Sequence, residues 1–225
     1  GYNSLSSNTS GNFNNAFGSQ TLKSNTYGSN NAAFGFSSLF SNVSGSTNSA
    51  FGNNSLYSNT SGSSNTAIGF SSLYNNTTGY YNSALGSYSL YSNTSGQGNI
   101  AIGNNALYSN STGNYNNALG YGALYSNTTG TDNNAFGVNS LNNNTTGARN
   151  TAFGNSTLYF NSTGSNNSAF GQEALVHNTT GYSNVAMGYS ALTINTTGIE
   201  NTAIGVSALG NSSGSSNVAI GMGAL

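Results

Sequence analysis

The sequence predicts an all-β protein, a parallel β-solenoid in the form of a flattened β-roll. Three observations predict this fold class: a strict 17-residue period, apolar columns in register with that period, and a composition that disfavours helices. A unit of this length is too short to bury an apolar face by itself. We therefore expect successive units to stack as coils.

The period is marked by a glycine that ends the phrase Asn-x-Ala-φ-Gly, in which φ is a large apolar residue. This glycine recurs with a constant 17-residue step from Gly1 to Gly205, and a final 16-residue step leads to Gly221. In the short step, Leu209-Gly210-Asn211 replaces the usual Leu-x-x-Asn. Residues 1–225 are thus predicted to form one continuous solenoid of about 13 repeats. Since the chain opens on a motif glycine and stops on a motif leucine, we expect an uncapped piece of a longer fibre protein.

Two short strands are predicted in each coil. Glycine recurs at least twice per unit, and asparagine, serine and threonine fill much of the rest, all of which are unfavourable inside helices. The first strand covers Asn-x-Ala-φ-Gly and the second covers small-Leu-Tyr-x, with a variable corner between them. The phrase Asn-Thr-Thr-Gly then forms a turn, because asparagine tolerates left-handed backbone geometry and glycine supplies positive φ.

The first strand carries a constant residue type on each of its two sides. The alanine column runs through all thirteen units from Ala16 to Ala219. Because neighbouring strand residues face opposite sides, alanine and φ together predict a strand that is covered on both faces. One side can face the interior of the roll, whereas the other needs another chain, a tight loop or a bound glycan. We therefore expect self-association into a fibre or homotrimer through whichever strand face lies outside the roll. The φ residues are named here the apolar column: Phe17, Phe34, Phe51, Ile68, Leu85, Ile102, Leu119, Phe136, Phe153, Phe170, Met187, Ile204 and Ile220.

Two further columns predict ladders that run along the stack. The strand asparagines open each unit and are expected to hydrogen-bond from coil to coil, since an unpaired buried amide is costly. They are Asn14, Asn31, Asn48, Asn65, Asn82, Asn99, Asn116, Asn133, Asn150, Asn167, Asn184, Asn201 and Asn217. The tyrosine column follows the leucine and predicts an aromatic ladder, with a sugar-binding strip as the alternative. Its members are Tyr57, Tyr74, Tyr91, Tyr108, Tyr125 and Tyr159, with Phe40 in the same place.

The turn asparagines, two residues beyond the tyrosine column, lie in Asn-x-Ser/Thr sequons. Asn25 is the exception, because Tyr27 occupies the third place, and the strand asparagines are never sequons, because alanine follows two residues later. Two interpretations stay open: covalent N-linked glycans on a secreted chain, or turn chemistry alone. The candidate glycosylation sites are Asn8, Asn42, Asn59, Asn76, Asn93, Asn110, Asn127, Asn144, Asn161, Asn178, Asn195 and Asn211.

The few charged residues exclude several classes of function. The net charge is −1 and the 225 residues contain two basic and three acidic side chains, one histidine and no cysteine. Nucleic-acid binding needs clustered lysine and arginine, so no nucleic-acid partner is predicted. The same inventory predicts no catalytic residue, no metal site and no cofactor. No apolar run reaches the ~18–20 residues of a membrane span.

Two local expectations follow from the 17-residue repeat. Asp132 and Arg149 lie one period apart, which predicts a surface ion pair between adjacent coils, worth less than ~1 kcal/mol. Ice binding needs threonines at i and i+2 on a flat strand face. Thr128 and Thr129 are adjacent instead, which leaves an ice-binding solenoid as a minor alternative.

The repeat phrases resemble those of known fibrous proteins. Asn99-Ile100-Ala101-Ile102-Gly103 and Asn184-Val185-Ala186-Met187-Gly188 are similar to the head repeats of trimeric autotransporter adhesins. Asn201-Thr202-Ala203-Ile204-Gly205, followed by Ala208-Leu209, resembles repeats of phage and bacterial tail-fibre-like proteins. The resemblance implies a left-handed parallel β-roll, often a homotrimer, used for surface display or attachment. The unit is longer than in the adhesin heads, and the residue before the alanine is of mixed polarity.

These observations together predict a non-enzymatic, extracellular structural fibre segment at a cell or virion surface. It would present a repetitive surface, and N-glycosylation of that surface is an open question. The main alternative is an adhesin or a viral or phage tail-fibre shaft that binds surface glycans.

Overall fold

The computed structural model describes all residues, 1–225. The chain forms two compact units, residues 1–114 and 115–225, which are built in the same way. The first unit contains the strands Asn15–Phe17 (β1), Ala32–Phe34 (β2), Ser49–Phe51 (β3), Thr66–Ile68 (β4), Ser83–Leu85 (β5) and Ile100–Ile102 (β6). The second contains Asn117–Leu119 (β7), Asn134–Phe136 (β8), Thr151–Phe153 (β9), Ser168–Phe170 (β10), Val185–Met187 (β11), Thr202–Ile204 (β12) and Val218–Ile220 (β13). Helices are absent, so no helix is available to cross a membrane.

Within each unit the strands are parallel and pair in chain order. In the first unit, Ala16 of β1 lies opposite Ala33 of β2. In the second, Ala118 of β7 lies opposite Ala135 of β8. Equivalent residues of successive coils, which are one period apart in the chain, therefore stack directly on one another. This register confirms the predicted all-β parallel solenoid with 17-residue coils.

Each strand is ended by the motif glycine. Gly86, which follows β5, has a φ of 135°, a region that residues with a side chain rarely adopt. A Cβ atom at this position would lie 2.5 Å from the carbonyl oxygen of Gly103 on the next coil. Glycine is therefore required both by the backbone angle and by the close approach of the coils, and the strands stay only three residues long.

The second predicted strand, small-Leu-Tyr-x, is not formed, and that expectation is wrong. The leucines of this segment have φ between 48° and 53°, which is the left-handed region and not the extended one. Hydrogen bonds still run between coils, as from the Leu39 N–H to the Ser55 carbonyl at 2.9 Å. The segment is therefore a stacked turn. The left-handed conformation costs about 1–2 kcal/mol per residue, which complete burial of the leucine side chain offsets.

The core of each coil is narrow and is built from few residue types. The leucine column from Leu22 to Leu192 is fully buried, and the alanine column is at most 4% exposed from Ala33 to Ala219. The small residue before each leucine, such as Ser55 or Ala106, is also buried. Asparagines complete the interior at two corners of the coil. Because the core side chains are small and identical from coil to coil, successive coils can lie at the usual spacing of neighbouring β-strands.

Candidate functional site

The outer face of the strands carries the apolar column in an exposed position. One chain covers only one strand face, because alanine faces the core while φ faces outwards. The expected cover of the second face, if present, comes from outside the coils of one chain. In the inner coils these side chains are between 37% (Phe34) and 47% (Leu85) exposed, except for Phe136, which is half-buried. Their rings stack along the column, as for Phe34 and Phe51, whose centroids are 4.9 Å apart. Each unit therefore presents a continuous apolar strip.

The strand asparagines form the predicted hydrogen-bonded ladder. The Asn150 Nδ2 group donates to Asn133 Oδ1 at 3.1 Å and to the Gly164 carbonyl at 2.8 Å. Its Oδ1 atom accepts from the backbone N–H of Asn167 at 3.0 Å and from Asn167 Nδ2 at 3.2 Å. One side chain thus makes four hydrogen bonds, and the same pattern repeats inside each unit. The ladder satisfies polar groups that the narrow core buries.

The turn asparagines form a second hydrogen-bonded ladder. The Asn144 Nδ2 group donates to Asn127 Oδ1 at 2.8 Å and to the Gly147 carbonyl at 3.0 Å. A glycan is attached through this nitrogen, and the turn asparagines from Asn42 to Asn195 are completely buried. The folded coil therefore has no room for N-linked glycans at Asn42, Asn59, Asn76, Asn93, Asn110, Asn127, Asn144, Asn161, Asn178 and Asn195. Only Asn8 and Asn211 among the candidate sites are exposed.

The deletion in the last loop interrupts this second ladder. Asn195 Oδ1 is buried and has no hydrogen-bond partner. In preceding coils this oxygen accepts from the next turn asparagine, as Asn161 Oδ1 does from Asn178 Nδ2 at 2.8 Å. The 16-residue step displaces Asn211 from the position of that donor. The ladder thus depends on the exact length of the coil.

The tyrosine column is a face-to-face stack. In the first unit the ring centroids of Phe40, Tyr57, Tyr74, Tyr91 and Tyr108 follow one another at 5.0–5.3 Å, and the rings are half-buried. The Nζ atom of Lys23 lies 5.2 Å from the Phe40 centroid, at one end of the stack. Because the ring faces are occupied by neighbouring rings, they are closed to the sugar stacking that a binding strip would need.

The sparse ionisable side chains make individual contacts with neighbouring coils. Arg149 Nε donates to Asn166 Oδ1 at 2.8 Å on the following coil. The ion pair predicted with Asp132 on the preceding coil is not formed. The single histidine, His177, stacks on Phe160 and contacts the Thr193 carbonyl through Nδ1 at 2.9 Å. No group of three or more histidine, cysteine, aspartate or glutamate residues lies close enough together to hold a metal ion.

Comparison with protein-family models, with curated proteins and with solved structures finds no match for this chain. The chemistry of the exposed columns therefore carries the functional argument.

Proposed function

We propose that the chain is a non-enzymatic structural segment of an extracellular fibre at a cell or virion surface, in which copies associate through the apolar column. The observation that carries this proposal is the exposure of the apolar column while the alanine, leucine and both asparagine columns are already buried inside the coils. Stacking along the column links neighbouring coils, but within one chain the outward side of this apolar column stays exposed. If a second copy covers this face, the constant choice of a large apolar residue at this position is explained.

The size of the strip favours a protein interface. A side chain of this size has roughly 200 Å² of surface, so about 80 Å² stays exposed on each and about 500 Å² on the six or seven of one unit. The largest apolar patch on a typical monomer is about 300–600 Å² and is often functional. A standard interface buries about 800 Å² on each partner. The strip of a single unit thus supplies more than half of such an interface.

The charge distribution also favours association between copies. None of the thirteen strands contains a charged residue, so two strand faces can meet without like-charge repulsion or the desolvation of an ion. The resemblance of the repeats to trimeric adhesin heads makes three copies the expected number. In this arrangement the hydrogen-bonded ladders give stiffness along the coils, and the apolar column joins the copies.

The proposal is tested by the mass of the assembly in solution. Phe153→Ser and Phe170→Ser together remove two neighbouring members of the apolar column. Phe160→Ser is a matched control, because Phe160 is 44% exposed outside the column whereas Phe153 is 46% exposed within it. We expect light scattering after size exclusion to give a multimer for the wild type and the control and a smaller species for the double variant. A monomeric wild type, or a double variant with the wild-type mass, would refute the proposal.

A further inference from the structure

Two consecutive tyrosines interrupt the repeat pattern in the first unit. Tyr80 and Tyr81 lie just after the Asn-x-x-Gly turn, where the preceding coil has Ser63 and Ser64. Tyr80 is 43% and Tyr81 66% exposed, and their centroids are 5.2 Å apart at an interplanar angle of 76°. They border an open pocket of about 280 Å³, which is lined by Ser61, Ser63, Ser64, Thr78, Tyr80 and Tyr81.

The geometry of this ring pair differs from that of the tyrosine column. In an edge-to-face pair the partner ring covers only one ring face, and both rings here stay exposed to solvent. The backbone does not require a large aromatic residue here. Tyr81 has a φ of 57°, a region that favours glycine and asparagine, and the equivalent Ser64 has the same angle. The two tyrosines are therefore not explained by the fold.

The pocket also offers unpaired polar groups. The hydroxyls of Ser61, Ser64 and Thr78 form no hydrogen bond within the chain. In the preceding coil the backbone N–H of Ser46 donates to Ser63 Oγ at 3.0 Å. Tyr80 occupies the corresponding place for the N–H of Ser63, but its hydroxyl lies at the far end of the ring. The N–H of Ser63 is therefore left without this acceptor beside the pocket.

We propose that this pocket binds a neutral pyranose, either as a free sugar or as one residue of a glycan. Open aromatic faces suit the apolar C–H face of a pyranose ring, and hydroxyls together with a free backbone N–H suit its hydroxyl groups. No charged residue lines the pocket, so a sulfated, phosphorylated or acidic sugar would find no counter-ion. The volume lies just below the range of about 300–1,000 Å³ typical of ligand pockets, which fits one sugar ring. This binding role is independent of the proposed assembly through the apolar column.

The second unit supplies a matched control. Tyr182 occupies the same position of its coil as Tyr80 and is 45% exposed, but Ser183 follows it in place of a second tyrosine. Tyr182→Ser thus removes an exposed tyrosine without removing an aromatic pair. Tyr80→Ser and Tyr81→Ser copy the residues Ser63 and Ser64 of the preceding coil, so both changes are compatible with the stacking of the coils.

Saturation-transfer difference NMR on the full chain tests the proposal, with the methyl glycosides of glucose, galactose, mannose and N-acetylglucosamine as probes. We expect at least one glycoside to receive saturation from the wild type and from Tyr182→Ser. The signal should be lost in Tyr80→Ser and in Tyr81→Ser, whose circular dichroism should match the wild type. The proposal is overturned if none of the four glycosides gives a signal. It is equally overturned if the signal survives in Tyr80→Ser or in Tyr81→Ser, or is lost in Tyr182→Ser.

Discussion

Replacing one strand asparagine should destabilise the solenoid far more than its small volume suggests. Asn150→Ala removes four hydrogen bonds, all inside the second unit. Three of the partner groups keep another hydrogen bond; for example, the Gly164 carbonyl still accepts from Asn161 Nδ2 at 2.9 Å. The backbone N–H of Asn167 loses its one acceptor in the buried interior.

The magnitude follows from these two kinds of loss. A hydrogen bond contributes about 0.5–1.5 kcal/mol net, whereas a buried group left unpaired costs about 1–3 kcal/mol. We therefore expect Asn150→Ala to lower the free energy of unfolding by about 3–5 kcal/mol. Asn144→Ala should cost less, because its Oδ1 atom accepts only from Asn161 Nδ2 and no backbone N–H loses its acceptor.

Urea denaturation followed by circular dichroism measures the effect, with Asn155→Ala as the control. Asn155 is exposed, and its Oδ1 atom accepts only from the hydroxyl of Ser156, so its loss should stay within about 0.5 kcal/mol. The expected order of destabilisation is Asn150→Ala, then Asn144→Ala, then Asn155→Ala. If the midpoint of Asn150→Ala equals that of Asn155→Ala, the ladder does not stabilise the fold and the reasoning is refuted.

Three further predictions follow from the coil geometry. Gly86→Ala places a Cβ atom 2.5 Å from the Gly103 carbonyl oxygen. It should therefore cost about 3 kcal/mol or more in urea denaturation, and an unchanged midpoint would contradict the close approach of the coils. Leu141→Ala empties a completely buried site and should cost about 2–5 kcal/mol by the same measurement. After expression in a glycosylating secretory host, intact mass before and after deglycosylation should show glycans at Asn8 and Asn211 at most, and a glycan at any buried turn asparagine would contradict the fold.

Much of the architecture could be predicted from the sequence because a strict period fixes register. Residues one period apart must stack, which identifies the parallel solenoid, the alanine column and the ladder of strand asparagines. The predictions of a single continuous body and of left-handed coils remain predictions. The period reveals which residues are equivalent, but not the backbone conformation of each.

The prediction of a second strand was wrong because residue types alone do not reveal the backbone conformation of this segment. Leucine rarely adopts a positive φ, so a Leu-Tyr pair indicates a strand in most sequences. Here stacking fixes the conformation of Leu141 at a φ of 50° and buries its side chain completely. Tertiary packing thus overrides local preference at every coil.

The buried state of the turn asparagines did have a signal in the sequence. A glycine follows each of them three residues later, and its carbonyl accepts the Asn Nδ2 group, as Gly147 does for Asn144 at 3.0 Å. A Cβ atom at Gly147 would lie 2.4 Å from Asn144 Oδ1, which explains why glycine is needed. Asparagine and glycine are therefore both structural in this turn. The exposure of the apolar column could not be predicted, because the pattern does not reveal which face lies inside.

A cryo-EM map of the native material would test the central claim most directly. The claim is that the apolar column, exposed on one chain, is the contact between copies. We expect the φ side chains of each copy, such as Phe51 and Phe153, to lie against another copy of the chain. A map in which these side chains face solvent while another face of the coils is covered would contradict it.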